Sequence, residues 1–264
     1  MARRALAGQK NDTLGGATRA LRVLDVFARS VGDRSLAPRE IAEALTMNLS
    51  PCYHVLNTLA AEGYVVRDQR TGLLSLGAKI AALSRAYDHQ VGFTPEISLI
   101  LSDLARDTGE NVALAILQRD VLVIVDVIES VERVRVAGLS PGVAEHLHAR
   151  GLGKAVLAHK DRAFVERHFD RQPPVALTAN THTAMSEIWD ELDKTRTLGY
   201  SEDNQEFALG VCGIGAAFFH PTGEVAGSLV VSIPTLRVEE KRTRLIALAT
   251  AASRGITTAL RAAD

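Results

Sequence analysis

The chain has 264 residues, 47% of them hydrophobic, which suits two domains with sizeable cores. Its 2 cysteines, Cys52 and Cys212, argue against a disulfide framework or a zinc cluster, and the basic start MARRALAGQK lacks the apolar run of a signal peptide. The net charge of −1 conceals an asymmetry: residues 1–90 hold 12 Lys and Arg against 8 Asp and Glu, while residues 91–264 hold 18 against 23, a balance that fits a polyanion partner for the N-terminal third.

In chain order, residues 1–16 are polar, Gly-containing and expected to form a flexible arm. From Ala17 the spacing of Ala20, Leu21, Val23, Leu24, Val26 and Phe27 predicts a helix to about Ser30. VGDRS is a turn. LAPREIAEAL is a second helix, with Pro38 in its first turn and Ile41, Ala44 and Leu45 on its apolar side. A third helix follows the connection TMN, with Ser50 as its expected N-cap and Pro51 as its first helical residue. Gly63 stops it. YVVRDQRTGLLSLG then alternates around Gln69-Arg70-Thr71-Gly72, the pattern of a two-stranded hairpin.

The third helix has two contrasting stripes. Cys52, Val55, Leu56 and Leu59 recur at the spacing that buries one side. Ser50, Tyr53, His54 and Asn57 recur at the same spacing on the other side, compact hydrogen-bonding groups without formal charge. Helix, short helix, turn, helix and hairpin make a winged helix-turn-helix, whose third helix enters the DNA major groove. The stripe of Ser50, Tyr53, His54 and Asn57 then reads base edges, which present donors and acceptors. Arg19, Arg22, Arg39, Thr58, Arg67 and Arg70 would position the domain on phosphates.

These segments resemble the DNA-binding domain of IclR-type transcriptional regulators. The resemblance rests on TRALRVLDVFA, LAPREIAEAL, LSPCYHVLNTLAAEGYVVRD and LSLGAKIAAL, with Ser50, Thr58, Leu59, Gly63, Tyr64, Leu76 and Gly77 matching the family pattern. Pro51 replaces the usual Thr, and Leu49 and His54 stand where the family commonly has Lys and Arg. The docking mode carries over; a typical member's operator does not.

Within LGAKIAALSRAYDHQVG, residues 78–91 predict a linker helix between a DNA-binding domain at 17–77 and a C-terminal domain at 92–264. Beyond Thr108-Gly109-Glu110, NVALAIL and VLVIVDVI flank a hairpin signal at Gln118-Arg119-Asp120, and RVRVAGLS reads as a third strand. VLVIVDVI is interrupted by Asp126 and falls far short of the ~20 residues that span a bilayer, so a soluble, cytoplasmic protein without membrane contact is expected. GLGKAVLAH, DRAFVERHF and TAMSEIWDELDKTRTLGY predict three helices, the last capped by Gly199. VCGIGAAFFH and VAGSLVVSIP are strands around PTGE, and the final run from Thr235 is a long helix. The expected fold is α+β with a mostly antiparallel sheet. It is similar to the GAF-like effector-binding domain of the same family, with LHARGLGKAVLAH, GYSEDNQE and VVSIP as the matching motifs.

A helix that begins at Gly151-Leu152-Gly153 offers free N–H groups and a favourable dipole to an anion. A small organic carboxylate is the natural guest, with Asp203 accepting from a ligand hydroxyl and Ser232 donating from a strand. The resemblance implies effector contacts at Gly151, Leu152, Asp203 and Ser232. Gly213 stands where the family often has a pocket Cys, and Val230 where a strand Ser is common. Both remove polar partners and Gly213 adds space, so a carboxylate with a larger apolar body, such as an aromatic ring, is expected. The bland alternatives are a tight turn for the glycines, a capping or surface Asp203, and a satisfied strand Ser232.

Glu145-His146-Leu147-His148 resembles a fragment of a metal site, but no third ligand is evident, and no metal or cofactor is expected. Asp203, Glu206 and Lys154 are the residues from which acid-base chemistry would be assembled, yet no nucleophile motif or phosphate loop accompanies them, and no catalytic residue is assigned. The expectation is a regulator that binds double-stranded operator DNA as a homodimer or homotetramer, serves a catabolic operon, and acts as repressor or activator through the same parts. The alternative is a metabolite-binding protein or enzyme whose N-terminal domain mediates protein contacts.

Overall fold

The computed structural model describes residues 15–30, 35–130, 132, 136 and 139–262. The chain divides into two compact units, Met1–His89 and Gln90–Asp264.

In the first unit, α1 (Gly15–Arg29), α2 (Pro38–Ala44) and α3 (Leu49–Ala61) precede a hairpin of β1 (Val65–Arg67) and β2 (Leu74–Leu76). Val23 and Phe27 of α1, Ile41 and Ala42 of α2, and Cys52, Leu56 and Leu59 of α3 meet Leu36, Val65 and Leu74 in one core. Leu36 exchanges both backbone hydrogen bonds with Leu74, at 2.8 and 2.9 Å, which ties the segment before α2 to the wing. α1 starts at Gly15, so Gly15 and Gly16 are helical and not part of an arm; the rest of that arm lies outside the described residues.

The start of α3 differs from the sequence expectation. Asn48, in extended conformation, is the N-cap, and its carbonyl accepts the first helical hydrogen bond from Cys52 N–H. Ser50 and Pro51 lie two and three residues inside the helix. Proline is tolerated there because the first-turn N–H groups have no intrahelical partner. The far end matches a Schellman cap: Gly63 has φ +79°, Tyr64 N–H donates to Leu59 O at 2.9 Å and Gly63 N–H to Ala60 O at 3.1 Å. Helix α4 (Ala78–Val91) carries the chain onward.

The second unit contains α5 (Pro95–Thr108), β3 (Asn111–Gln118), β4 (Val121–Ile128), β5 (Gly142–Val143), a 3-10 turn (Leu147–Ala149), α6 (Gly151–Leu157), α7 (Arg162–Arg171), α8 (Met185–Leu198), β6 (Ser201–Asn204), β7 (Val211–Phe219), β8 (Val225–Pro234) and α9 (Thr235–Ala262). One antiparallel sheet runs β5-β4-β3-β8-β7-β6. Strand alternation splits its apolar residues between two cores. Val112, Leu114, Ile214 and Val231 pack with α5 and α9; Ala113, Ala115, Leu122 and Val230 pack with α6, α7 and α8. The α+β architecture with an antiparallel sheet is therefore as the sequence predicts. Most of RVRVAGLS lies outside the described residues. β6 was not expected, because SEDN carries no apolar alternation; it is an edge strand that buries Ser201 and Asp203. Among the described residues no helix is long and apolar enough to cross a membrane.

Candidate nucleic-acid interface and effector cavity

On α3 the two stripes separate cleanly. Cys52, Leu56 and Leu59 are buried, while Ser50, Tyr53, His54, Asn57 and Thr58 are exposed. Tyr53 keeps 37% of its surface accessible, so its ring is open to a partner. The Arg67 guanidinium lies 5.3 Å from the Tyr53 ring centroid, joining wing and helix through a cation–π contact. The Thr58 hydroxyl donates to the His54 carbonyl at 3.0 Å, so its proton is used within the helix and its oxygen is left to accept.

Arg19, Arg22, Arg67 and Arg70 are exposed. Arg39 is also exposed but pairs with Glu43 at 2.9 Å, a solvated contact that competes weakly with a phosphate. The wing tip is braced by Asp68, whose Oδ1 accepts from Arg70 N–H at 3.0 Å, Thr71 N–H at 2.6 Å and the Thr71 hydroxyl at 2.8 Å. Those bonds, from Thr71 above all, hold the Asp68 carboxyl below its ordinary pKa.

In the second unit, register brings distant residues together. Asp203 of β6 pairs with Gly213 of β7, and Gly213 pairs with Ser232 of β8. These three, spread over 30 sequence positions, form a row across three adjacent strands. Val230 points to the same side of β8 as Ser232. The N-terminus of α6 lies over β7: a Cβ on Gly151 would come within 3.2 Å of Gly213 O and Gly215 N. Ser201 Oγ donates to Gly151 O at 2.6 Å and Ser228 Oγ to Leu152 O at 2.8 Å, which pins the first carbonyls of α6 to the sheet.

Between helix and strands lies a cavity of about 50 Å³ that opens to solvent. Gly151, Leu152, Asp203, Gly213, Val230 and Ser232 all line it. So do Val136, Leu139, Arg150, Phe207, Ala208 and Val211, which the sequence reading did not name. Arg150 was within reach, since it immediately precedes Gly151 in LHARGLGK. Phe207 carried no signal, because its role depends on the turn after β6.

The glycines do more than admit a ligand. A Cβ on Gly153 would run into the Leu147 carbonyl, so this glycine serves the turn before α6. A Cβ on Gly213 would meet Val230 at 3.4 Å and Asp203 Cβ at 3.5 Å, which are ordinary contacts. Gly213 therefore leaves about a methyl group of space that Ala would fill.

Asp203 Oδ1 accepts from Glu206 N–H at 2.7 Å and Phe207 N–H at 3.3 Å. Burial dominates these bonds and raises its pKa to about 6. Lys154 and Glu206 form a buried ion pair at 2.6 Å, with Glu191 at 3.6 Å from the same ammonium. Neither Lys154 nor Glu206 lines the cavity, so the two are committed to each other and not to acid-base work.

The two histidines are also not on a strand. His146 has φ +56°, and His148 sits in the 3-10 turn with Nε2 bonded to Val175 O at 3.0 Å. Their ring centroids are 6.1 Å apart and edge-to-face. Among the described residues no group of three or more His, Cys, Asp or Glu could hold a metal ion.

The same two-unit arrangement of motifs matches two family models: the IclR helix-turn-helix domain over residues 16–69, and the bacterial transcriptional regulator IclR C-terminal domain over residues 86–258. The chain belongs to the IclR family. It is 34% identical over 224 residues to the HTH-type transcriptional regulator BhcR of Paracoccus denitrificans, covering 85% of this chain and 79% of that one. Its fold matches the Thermotoga maritima IclR structure with TM-score 0.75 at 22% identity, over 94% of this chain and 99% of the other. An IclR homologue from Microbacterium hydrocarbonoxydans complexed with 4-hydroxybenzoate matches with TM-score 0.70 at 20% identity, over 94% and 99%. This IclR-family member is a transcriptional regulator with an N-terminal DNA-binding domain and a C-terminal effector-binding domain, not an enzyme.

Proposed function

We propose that this regulator reads operator DNA through Ser50, Tyr53, His54 and Asn57 and responds to a small organic carboxylate with an apolar, aromatic-sized body. Arg19, Arg22, Arg39, Arg67, Arg70 and Thr58 position the domain on phosphates. The 78–91 helix serves as the linker between the 17–77 and 92–264 domains. Two reading helices on half-sites about one helical turn apart require a homodimer or homotetramer. The effector alters operator binding by favouring one of two DNA-competent and DNA-incompetent states.

The observation that carries the effector reading is the cavity over the Asp203, Gly213 and Ser232 row. Most of its side chains are apolar and a few polar groups converge on it, the usual composition of a small-molecule site. Gly151 and Leu152 bring the N-terminus of α6 to its wall. The space beside Gly213, and Val230 in place of a polar residue, favour a body larger than a two- or three-carbon keto acid. The 4-hydroxybenzoate held by a homologue of the same fold agrees with that size. In this reading the regulator's target is a catabolic operon.

The test joins two measurements. A gel shift with DNA upstream of the protein's own gene, at two salt concentrations, should show specific, salt-dependent binding. Calorimetry should show benzoate or 4-hydroxybenzoate binding more tightly than glyoxylate or pyruvate. Tight binding of the small keto acids alone would overturn the aromatic reading.

A further inference from the structure

Among the described residues that line this cavity, Arg150 is the cation without a hydrogen-bond or ion-pair partner. It is partly buried at the cavity wall, immediately before α6. Its guanidinium carbon sits 4.3 Å from the centroid of Phe207, which lines the same cavity. Among the described residues the guanidinium has no hydrogen-bond or ion-pair partner; Asp203 and Glu145 favour its charge only at longer range. Burial, the largest influence, pulls its pKa below the ordinary guanidinium value. A partly desolvated cation without a counter-ion is a site prepared for an anion.

Among the described residues, the other cation close to the cavity is taken up by its own contacts. Lys154 is held by Glu206 and Glu191 and does not reach the cavity lining. Asp203, an acidic side chain of the lining, opposes a bound carboxylate, and a cation across the cavity offsets that repulsion. The contact with Phe207 is a cation–π contact, and among the described residues the guanidinium N–H groups carry no hydrogen bond. A guanidinium edge matches a carboxylate in two parallel hydrogen bonds.

We propose that Arg150 is the counter-ion that selects carboxylate effectors in this cavity, with Phe207 holding the guanidinium in position. The proposal rests on the effector reading above and adds the residue that sets its charge preference. Asp203 and Ser232, on the strand side of the cavity, then meet a hydroxyl or carbonyl on the effector's body.

The experiment is calorimetry on the full chain with benzoate, 4-hydroxybenzoate and pyruvate, each against its neutral primary amide. The wild type should prefer an acid over its amide by about tenfold or more, the range expected of a hydrogen bond to a charged group. Arg150→Gln should lose that preference to within about twofold and leave amide affinity nearly unchanged. Arg150→Lys keeps a positive charge and should retain part of the preference. Equal loss in the Lys and Gln variants would assign the effect to packing and overturn the proposal. An acid preference that survives Arg150→Gln overturns it too, while leaving the effector reading intact. A wild type that binds none of the acids overturns both.

Discussion

Helix α3 buries Cys52, Leu56 and Leu59 of its 13 residues and leaves Ser50, Tyr53, His54 and Asn57 exposed, whereas α6 buries every one of its 7 residues. On α3 the packing stripe and the proposed reading stripe are different residues. On α6 they coincide: Gly151 and Leu152 line the cavity while their carbonyls are pinned by Ser201 and Ser228. A surface that meets a large external partner can be altered without touching the core. A cavity for a small molecule is made of core, so its specificity and its stability are coupled.

The sharpest test of that contrast lies on α6 itself, at Lys154. Lys154→Met leaves Glu206 buried without its 2.6 Å partner. Losing one member of a buried pair should cost about 3–5 kcal/mol, read from urea unfolding of the full chain. A loss under about 1 kcal/mol would show that the core under the cavity is not what holds α6.

Next come the reading residues. Tyr53→Ala or Asn57→Ala should each reduce discrimination between operator and mismatched sites by about 1–3 kcal/mol in competition gel shifts. Unfolding stability should stay within about 0.5 kcal/mol, because both side chains are exposed. If both variants keep operator selectivity, the reading face is misassigned and α3 loses its place in the comparison.

A pH dependence separates the two regions further. Asp203 has a folded-state pKa of about 6, raised by burial above the ordinary 3.8. The fold therefore binds this proton more tightly than the unfolded chain. The stabilisation is complete below about pH 4 and is lost as pH rises through about 6. Relative to Asp203→Asn, the wild type should lose about 1–2 kcal/mol between pH 5 and pH 7.5, measured by urea midpoints at the two values. Parallel profiles for the two proteins would place Asp203 in a wetter environment than this cavity provides.

The smallest effect belongs to the wing. Arg70→Ala should weaken binding on all DNA sequences alike and lower the slope of log affinity against log salt by about one. A change in sequence preference instead would move Arg70 from phosphate to base.

How far each region could be read in advance follows from the range of the interactions that build it. The stripes of α3 repeat every three to four residues, so local spacing was enough to assign them. Its N-cap was misplaced by two positions, because Asn48 and Ser50 are both good caps and packing of α3 on α1 and α2 chooses between them. β6 was missed because its buried residues are the polar Ser201 and Asp203, which gain their partners from α6 and from the turn at Glu206. Gly151 and Ser232 came from a helix start and a strand pattern, but neither pattern says that they face each other.

By itself the sequence determined the two-domain organisation of motifs, the winged helix-turn-helix and the polar side of α3, since periodicity, caps and turns act within a few residues. Tertiary structure alone decided that Asp203, Gly213 and Ser232 lie in one row, that Lys154 is spent on Glu206, and that Arg150 lines the cavity without a hydrogen-bond or ion-pair partner among the described residues. Strand register and helix-on-sheet packing join positions far apart in the chain, such as Asn111 with Ser232, and no local pattern encodes which of them meet.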